Sequence, residues 1–222
     1  MTTILIVDDH PAMRLVLKNH LLQLLGVDEV IEADNGQCAI ELVRLRTPEL
    51  VLLDLDIPRS SGLDVAPRLR AIHPQIRILV VTALDPAVFV SRSWQAGAQG
   101  FVSKTQDLKE ILRAVEAVLA GYTVFPAMGR DGATRQAMSA DEEMLRRLSD
   151  KELVVLQMLA RGMSYKAIST SLFISNKTVS SYKARIMAKL QVSSLVELVG
   201  FCAPVPADAV SDPFLLIRHR MT

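Results

Sequence analysis

The chain has 222 residues, half of them apolar, with 25 Lys and Arg against 24 Asp and Glu and a formal charge of +1. That balance excludes a disordered, collagen-like or disulfide-framed chain and fits a globular protein of one or two domains. The charge is uneven: residues 1–126 carry 12 basic and 15 acidic side chains, or −3, whereas residues 147–203 carry 8 and 3, or +5. A basic second part predicts a nucleic-acid partner for it.

Short apolar runs alternate with helical patterns through residue 121, the rhythm of βαβ units and a parallel sheet. Strands are expected over Ile4–Val7, Val30–Ala33, Leu50–Leu53, Ile78–Val81 and Gly100–Val102. Helices are expected between and after them, over Pro11–Leu25, Asn35–Arg46, Gly62–Ile72, Asp85–Ala96 and Thr105–Ala120. The last has Thr105 as its expected N-cap and a single apolar stripe from Leu108 to Leu119. This is an α/β doubly wound, five-stranded parallel sheet in a domain of residues 1–126. Residues 127–146 lack a strong period until Met144-Leu145 and read as a linker.

Residues 147–203 show no strand-like alternation, and four short helices fit: Asp150–Ala160, Ser164–Leu172, Ser175–Leu190 and Ser194–Phe201. Ser149 or Asp150, Ser164, Ser175 and Ser193 or Ser194 stand where N-caps are wanted. The pattern is a small all-α helix-turn-helix domain. The tail, residues 204–222, contains Pro204, Pro206 and Pro213 and is expected to be poorly ordered. Cys38 and Cys202 have no metal-type spacing and suit buried thiols in a reducing cytosol. No basic segment followed by an apolar one opens the chain and no stretch reaches membrane-spanning length, so no export signal or anchor is expected.

Asp8 and Asp9 follow the first apolar run and Asp54 follows the third. On neighbouring parallel strands the three carboxylates converge at the carboxyl edge, where open α/β sheets place their sites. Crowded carboxylates repel unless a cation sits among them, which predicts a hard, oxygen-coordinated Mg²⁺. Thr82 closes the fourth strand and Lys104 follows the fifth. A hydroxyl and an ammonium facing Asp54 complete the requirements of a carboxylate that accepts a phosphoryl group.

Across residues 3–121 the chain resembles the receiver domain of two-component response regulators, which has the CheY/flavodoxin-like fold. The resemblance rests on Asp8-Asp9, on Asp54 with Ile57-Pro58 and Gly62, on Thr82-Ala83, and on the run Ala96 to Lys104. It implies Asp54 as phosphoacceptor. Asp9 and Asp54 are then direct Mg²⁺ ligands, Asp8 acts through water, and the backbone carbonyl of Asp56 is a third protein ligand. Thr82, Phe101 and Lys104 map to the switch, with Phe101 where many receivers carry Tyr. Asp54-x-Asp56 also looks like the nucleophile signature of haloacid-dehalogenase-type phosphatases, but that signature belongs on a first strand and here follows a third.

In the basic part, Leu172 to Ser175 reads as a turn between two helices, and Val179, Ile186 and Leu190 form the inward stripe of the second. The motifs Leu148 to Glu152, Ala160-Arg161-Gly162-Met163-Ser164, Lys177-Thr178-Val179 and Lys189-Leu190 resemble the LuxR-type output domain over residues 146–203. Joined to a receiver, this is the NarL/FixJ class, and the run Ile174 to Ser180 looks most like the subgroup containing the virulence regulator BvgA. By resemblance, Ser180, Ser181 and Ala184 read bases, and Lys177, Thr178, Lys183, Arg185 and Lys189 hold phosphates. Tyr165, Ala167, Ser180 and Tyr182 depart from the commoner Asn, Glu, Lys and His. Short side chains cannot make a bidentate guanine contact, which shifts weight to DNA shape. The expectation is a cytoplasmic, non-enzymatic transcription regulator that a sensor histidine kinase phosphorylates and that binds promoter DNA as a homodimer. The alternative keeps the fold and has a receiver that acts through protein contacts without phosphorylation.

Overall fold

The structure is a computed structural model that describes residues 2–126, 144–145 and 147–200. Five parallel strands form one sheet in the order β2-β1-β3-β6-β7. They are β1 (Thr2–Val7), β2 (Val27–Ala33), β3 (Leu50–Leu53), β6 (Arg77–Thr82) and β7 (Gly100–Ser103). A small antiparallel pair, β4 (Asp56–Ile57) and β5 (Ser60–Ser61), follows β3. Its turn is Pro58-Arg59, with Arg59 at φ 68; proline at the first corner and a positive φ at the second are the marks of a type II turn. Isolated two-residue strands carry no periodic signal, so sequence reading left this hairpin out.

Alternation along the strands sorts the core into two layers. Leu5, Val7, Val51, Leu53, Ile78 and Val80 face α2 (Gly36–Arg46), α3 (Gly62–Ile72) and α4 (Pro86–Gln95). Ile4, Ile6, Leu50, Leu52, Leu79 and Val81 face α1 (Pro11–Leu21) and α5 (Leu108–Leu119). A two-sided cover is what makes the strand sequences nearly continuous in apolar residues.

Two helix boundaries differ from expectation. Helix α1 stops at Leu21, because the chain turns through Gly26 at φ 87 and β2 starts early, its Val27 pairing with Thr2. Thr105 does not cap α5. Its hydroxyl is engaged with Ser103 Oγ at 2.8 Å, and Asp107 holds the N-cap position without a side-chain capping bond.

Four helices make up the second domain among the described residues: α6 (Asp150–Ala160), α7 (Tyr165–Ser171), α8 (Asn176–Leu190) and α9 (Leu195–Gly200). The serine caps expected from the sequence are present. Ser149 and Glu152 form a reciprocal capping box at α6, and the Ser164 and Ser175 hydroxyls accept from Ala167 N and Thr178 N. Glu197 N donates to Ser194 Oγ at 3.2 Å in the same way. Helix α6 has apolar residues on two faces because both are covered. Leu153 to Leu156 lie in a core continuous with that of the receiver, and Val154 and Val155 face Leu55 and Ile57 across the domain boundary. Cys202, residue 146 and the segments 127–143 and 201–222, which hold most of the expected linker and all of the expected tail, lie outside the described residues.

Candidate functional site

The sheet brings the acidic residues together. Asp54 N donates to Val7 O at 2.9 Å and Asp8 N donates to Ala33 O at 3.1 Å, so both carboxylates leave from strand ends held in register. Gly62 is dictated by the same packing: a Cβ there would stand 2.3 Å from the carbonyl oxygen of Asp54 and 2.9 Å from Leu55 Cα. Lys104 N donates to Thr82 O at 2.8 Å, which aims the side chain across the sheet edge. Its ammonium lies 2.6 Å from Asp8 Oδ2 and 2.6 Å from Asp54 Oδ2. Asp8 and Asp54 are each 3% exposed.

The electrostatics follow from that crowding. Burial pushes the Asp54 carboxyl above the ordinary range; the Lys104 charge opposes this and the Asp8 charge reinforces it. Asp56 is pushed up to about 7, first by burial and then by the charges on Asp54 and Asp9. Burial works to lower Lys104, but Asp54 and Asp8 outweigh it and hold the ammonium above its usual value. Asp8, Asp9, His10 and Asp54 each offer a ligand atom, all within 4.8 Å of one another. Asp9 Oδ1 is buried and accepts no hydrogen bond, although His10 Nδ1 stands 2.7 Å away. Asp56 N donates to Asp54 Oδ1 at 3.2 Å.

A cavity of about 430 Å³ opens over this cluster, lined by Asp54, Asp56, Thr82, Ala83 and Lys104 among others. Thr82 is fully buried, and its hydroxyl accepts weakly from Leu84 N at 3.4 Å. Phe101 is also buried, its backbone N donating to Val124 O at 2.7 Å.

On the second domain, Lys177, Ser180, Ser181, Ala184 and Arg185 form an exposed strip along α8. The Ser181 hydroxyl donates back to Lys177 O at 2.9 Å, which leaves its oxygen lone pairs for an outside donor. Lys183 lies 5.8 Å from the centroid of the Tyr165 ring and Arg185 lies 4.7 Å from that of Tyr182, so two departures from the family pattern serve as platforms for cations. Thr178 is half-buried beside its cap Ser175, their hydroxyl oxygens 2.8 Å apart. Lys189 differs from the rest of the strip. Its ammonium pairs with buried Glu152 at 2.7 Å and donates to Arg147 O at 3.2 Å.

Comparison with known proteins agrees on both halves. Residues 4–116 match the family described as response regulator receiver domain, and residues 146–202 match the bacterial regulatory proteins of the luxR family. The chain belongs to the response regulators of the NarL/FixJ class. It is 47% identical to a putative transcriptional regulator of Pseudomonas aeruginosa, covering 90% of this chain and 97% of that protein. It is 42% identical to BvgA of Bordetella pertussis, a virulence-factor regulator, over 88% of this chain and 94% of that one. Among solved structures, the Salmonella typhimurium response regulator RcsB aligns with a TM-score of 0.62 at 25% identity, over 90% of this chain and 96% of that chain. The regulator therefore joins a receiver to a DNA-binding domain, and the relatives it matches are described as transcriptional regulators.

Sequence reasoning missed two residues of the receiver site. His10 follows the aspartate pair directly and lies within 3.2 Å of Asp8 and 2.7 Å of Asp9; its place after two acidic residues was the available signal. Arg161 lines the same cavity from the other domain, and nothing local in sequence announces a contact that depends on how two domains dock.

Proposed function

We propose that this regulator is switched by phosphorylation of Asp54 and, once phosphorylated, binds promoter DNA as a homodimer. The observation that carries the reading is a carboxylate buried at a strand end, with one ammonium shared between it and Asp8 at 2.6 Å, under an open cavity. Asp54 attacks phosphorus and an Asp54–O–P bond forms. The bond from phosphorus to the donor, a sensor kinase phosphohistidine or acetyl phosphate, breaks, and the leaving group keeps its electron pair. Lys104 then exchanges one carboxylate partner for a phosphoryl oxygen, and Thr82 offers its hydroxyl to another. Phe101 fills the space beneath.

The donor set fits a divalent cation. It is dominated by oxygen, converges within 4.8 Å and includes an orphaned buried carboxylate oxygen on Asp9. Asp9 and Asp54 would hold Mg²⁺ directly, with Asp8 through water and the Asp56 carbonyl completing the protein ligands. When bound, the ion neutralises phosphoryl oxygens and relieves the repulsion among the carboxylates.

For the second domain, Lys177, Thr178, Lys183 and Arg185 contact phosphates, and Ser180, Ser181 and Ala184 approach base edges in the major groove. Lys189 reaches a phosphate only by releasing Glu152. Leu195 and Val196 are exposed on α9 and supply the contact between two DNA-bound copies. A single small module of charge +5 binds weakly at physiological salt, so paired half-sites are the physical expectation. We assign residues 1–126 to the receiver and 147–203 to the DNA-binding domain, in a cytoplasmic protein; no helix among the described residues is long and apolar enough to cross a membrane.

The test is incubation of the full-length protein with Mg²⁺ and acetyl phosphate, followed by intact mass and sedimentation. One acid-stable, base-labile phosphoryl adduct that is lost in Asp54→Asn, with a shift toward dimer, is expected. Equal DNA binding by Asp54→Asn and the treated wild type would instead favour a receiver that works through protein contacts alone.

A further inference from the structure

The cavity over Asp54 has a wall that belongs to the DNA-binding domain. Arg161, at the C-cap of α6, donates from Nη2 to the carbonyl oxygen of Ala83 at 2.6 Å and lines the same 430 Å³ space as Asp54, Asp56, Thr82 and Lys104. Contacts elsewhere along the boundary keep it there. Gln157 Oε1 accepts from Asp85 N at 3.3 Å, Arg92 Nη1 pairs with Asp150 Oδ1 at 2.5 Å, and Arg92 Nη2 donates to Leu148 O at 3.0 Å. Among the described residues, the bond to Ala83 is the one hydrogen bond that Arg161 makes through its side chain. A guanidinium has five donors, so most remain for a ligand.

The charge in the cavity explains why a second cation there matters. Asp54 and Asp56 face the space, with the Lys104 ammonium and the His10 ring also lining it from the receiver, and Asp8 and Asp9 lie beside Asp54 in the same cluster. Mg²⁺ offsets part of that charge, but a dianionic phosphodonor still meets a floor with more carboxylates than cations. Arg161 places a guanidinium charge at the mouth.

We propose that Arg161 recruits small anionic phosphodonors to the phosphoacceptor cavity, so that the docked DNA-binding domain helps to set how fast the receiver is charged. The inference rests on Asp54 being the phosphoacceptor. It adds a specificity-determining residue supplied by the other domain. The covalent step is unchanged: the Asp54–O–P bond forms, the bond to the donor's leaving group breaks, and Arg161 contributes charge alone.

The experiment compares full-length wild type, Arg161→Gln, Arg161→Lys and Asp150→Asn for the rate of adduct formation with acetyl phosphate, a dianion, and with phosphoramidate, a monoanion, across a range of salt. Arg161→Gln should slow the acetyl phosphate reaction roughly fivefold, flatten its salt dependence and slow the phosphoramidate reaction less. Arg161→Lys should retain most of the rate. Asp150→Asn weakens docking without touching the cavity, so its loss of rate should not exceed that of Arg161→Gln. An unchanged or faster reaction in Arg161→Gln, with an unaltered salt slope, overturns the proposal and leaves Arg161 as a docking contact that shields the cavity. A wild type that takes up no phosphoryl group at Asp54 overturns both this proposal and the reading beneath it, and is distinguished by the absence of any adduct. Arg161 is exposed, so these substitutions leave the core of α6 intact.

Discussion

Replacing Lys104 by alanine removes the ammonium that stands 2.6 Å from both Asp8 and Asp54. Deleting one partner of a buried ion pair costs about 3–5 kcal/mol, because the remaining charge stays buried and unpaired. Two features of the site place the loss at the low end of that range. The Lys104 side chain is 13% exposed, so water can enter where it stood, and Asp54 is already pushed toward its neutral form by burial. A loss of about 3 kcal/mol lowers the melting temperature of a domain this size by roughly 10 °C. The assay is thermal unfolding of full-length Lys104→Ala at neutral pH with a chelator, followed by a Mg²⁺ titration. A ligand bound only by the native state contributes about 2.7 kcal/mol at a hundred times its Kd. Without Lys104 competing for Asp8 and Asp54, Mg²⁺ should raise the melting temperature more in the variant than in wild type. A fall of less than about 3 °C in chelator, or an equal response of both proteins to Mg²⁺, would refute the reasoning.

Other substitutions test other contacts. Burial pushes Glu152 up, but hydrogen bonds from Lys189 and Ser149 outweigh it and the net shift is downward. A lowered carboxylate stabilises the fold above its unfolded value, here 4.5, and loses that contribution as pH falls through the folded value. Lys189→Gln should therefore cost about 1–2 kcal/mol at neutral pH and flatten the acid limb of a urea-stability profile. Asp56 is the reverse case, pushed up to about 7: its protonated form favours the fold, and that contribution drains away as pH rises from the unfolded value toward 7. Asp56→Asn, melted in chelator, should gain on wild type progressively between about pH 4 and 7, and a constant difference across that window would count against the burial argument. On the DNA side, Lys177→Ala should weaken binding alike on all sequences and reduce the slope of log affinity against log salt by about 0.9, whereas Ser180→Ala should change the preferred sequence in a competition assay.

Much of the receiver was legible because its information is local and periodic. Four apolar residues from Leu50 to Leu53, ended by Asp54, describe a buried parallel strand and its functional terminus together. Ser164 and Ser175, and Ser149 as one of two candidates beside Asp150, stood where N-caps were expected, since a hydroxyl there can accept from the free N–H groups of the first turn. What escaped depends on tertiary choice. Thr105 has the chemistry of a cap, but Ser103 takes its hydroxyl. Lys189 has the look of a phosphate contact, yet its nearest charge is Glu152, 37 residues away in the chain. The boundary residues Arg92 and Gln157 read as ordinary polar positions, and Arg161 only as part of an output-domain motif, until two domains are placed against each other.

That placement constrains how such a regulator can be switched. Docking buries α6 and draws in Leu172, Ile174 and Tyr182 around the α7–α8 turn, beside Leu55 and Ile57 of the receiver. It leaves Lys177, Ser180, Ser181, Ala184 and Arg185 in solvent. A docked chain thus keeps the strip proposed to read DNA open, and the receiver does not mask it in this arrangement. The remaining lever is geometry. With α6 tied to the receiver through Arg92 and Arg161, α8 is fixed relative to the receiver, and two copies can occupy paired half-sites only if their receivers set the spacing or their ties release. The ties end on Ala83, next to Thr82, and on α4 just beyond it. If Asp54 is phosphorylated as proposed and Thr82 is drawn toward the phosphoryl group, the movement pulls on the backbone that Arg161 holds, so the tie at Ala83 is one route by which the sheet edge and the orientation of α8 are coupled.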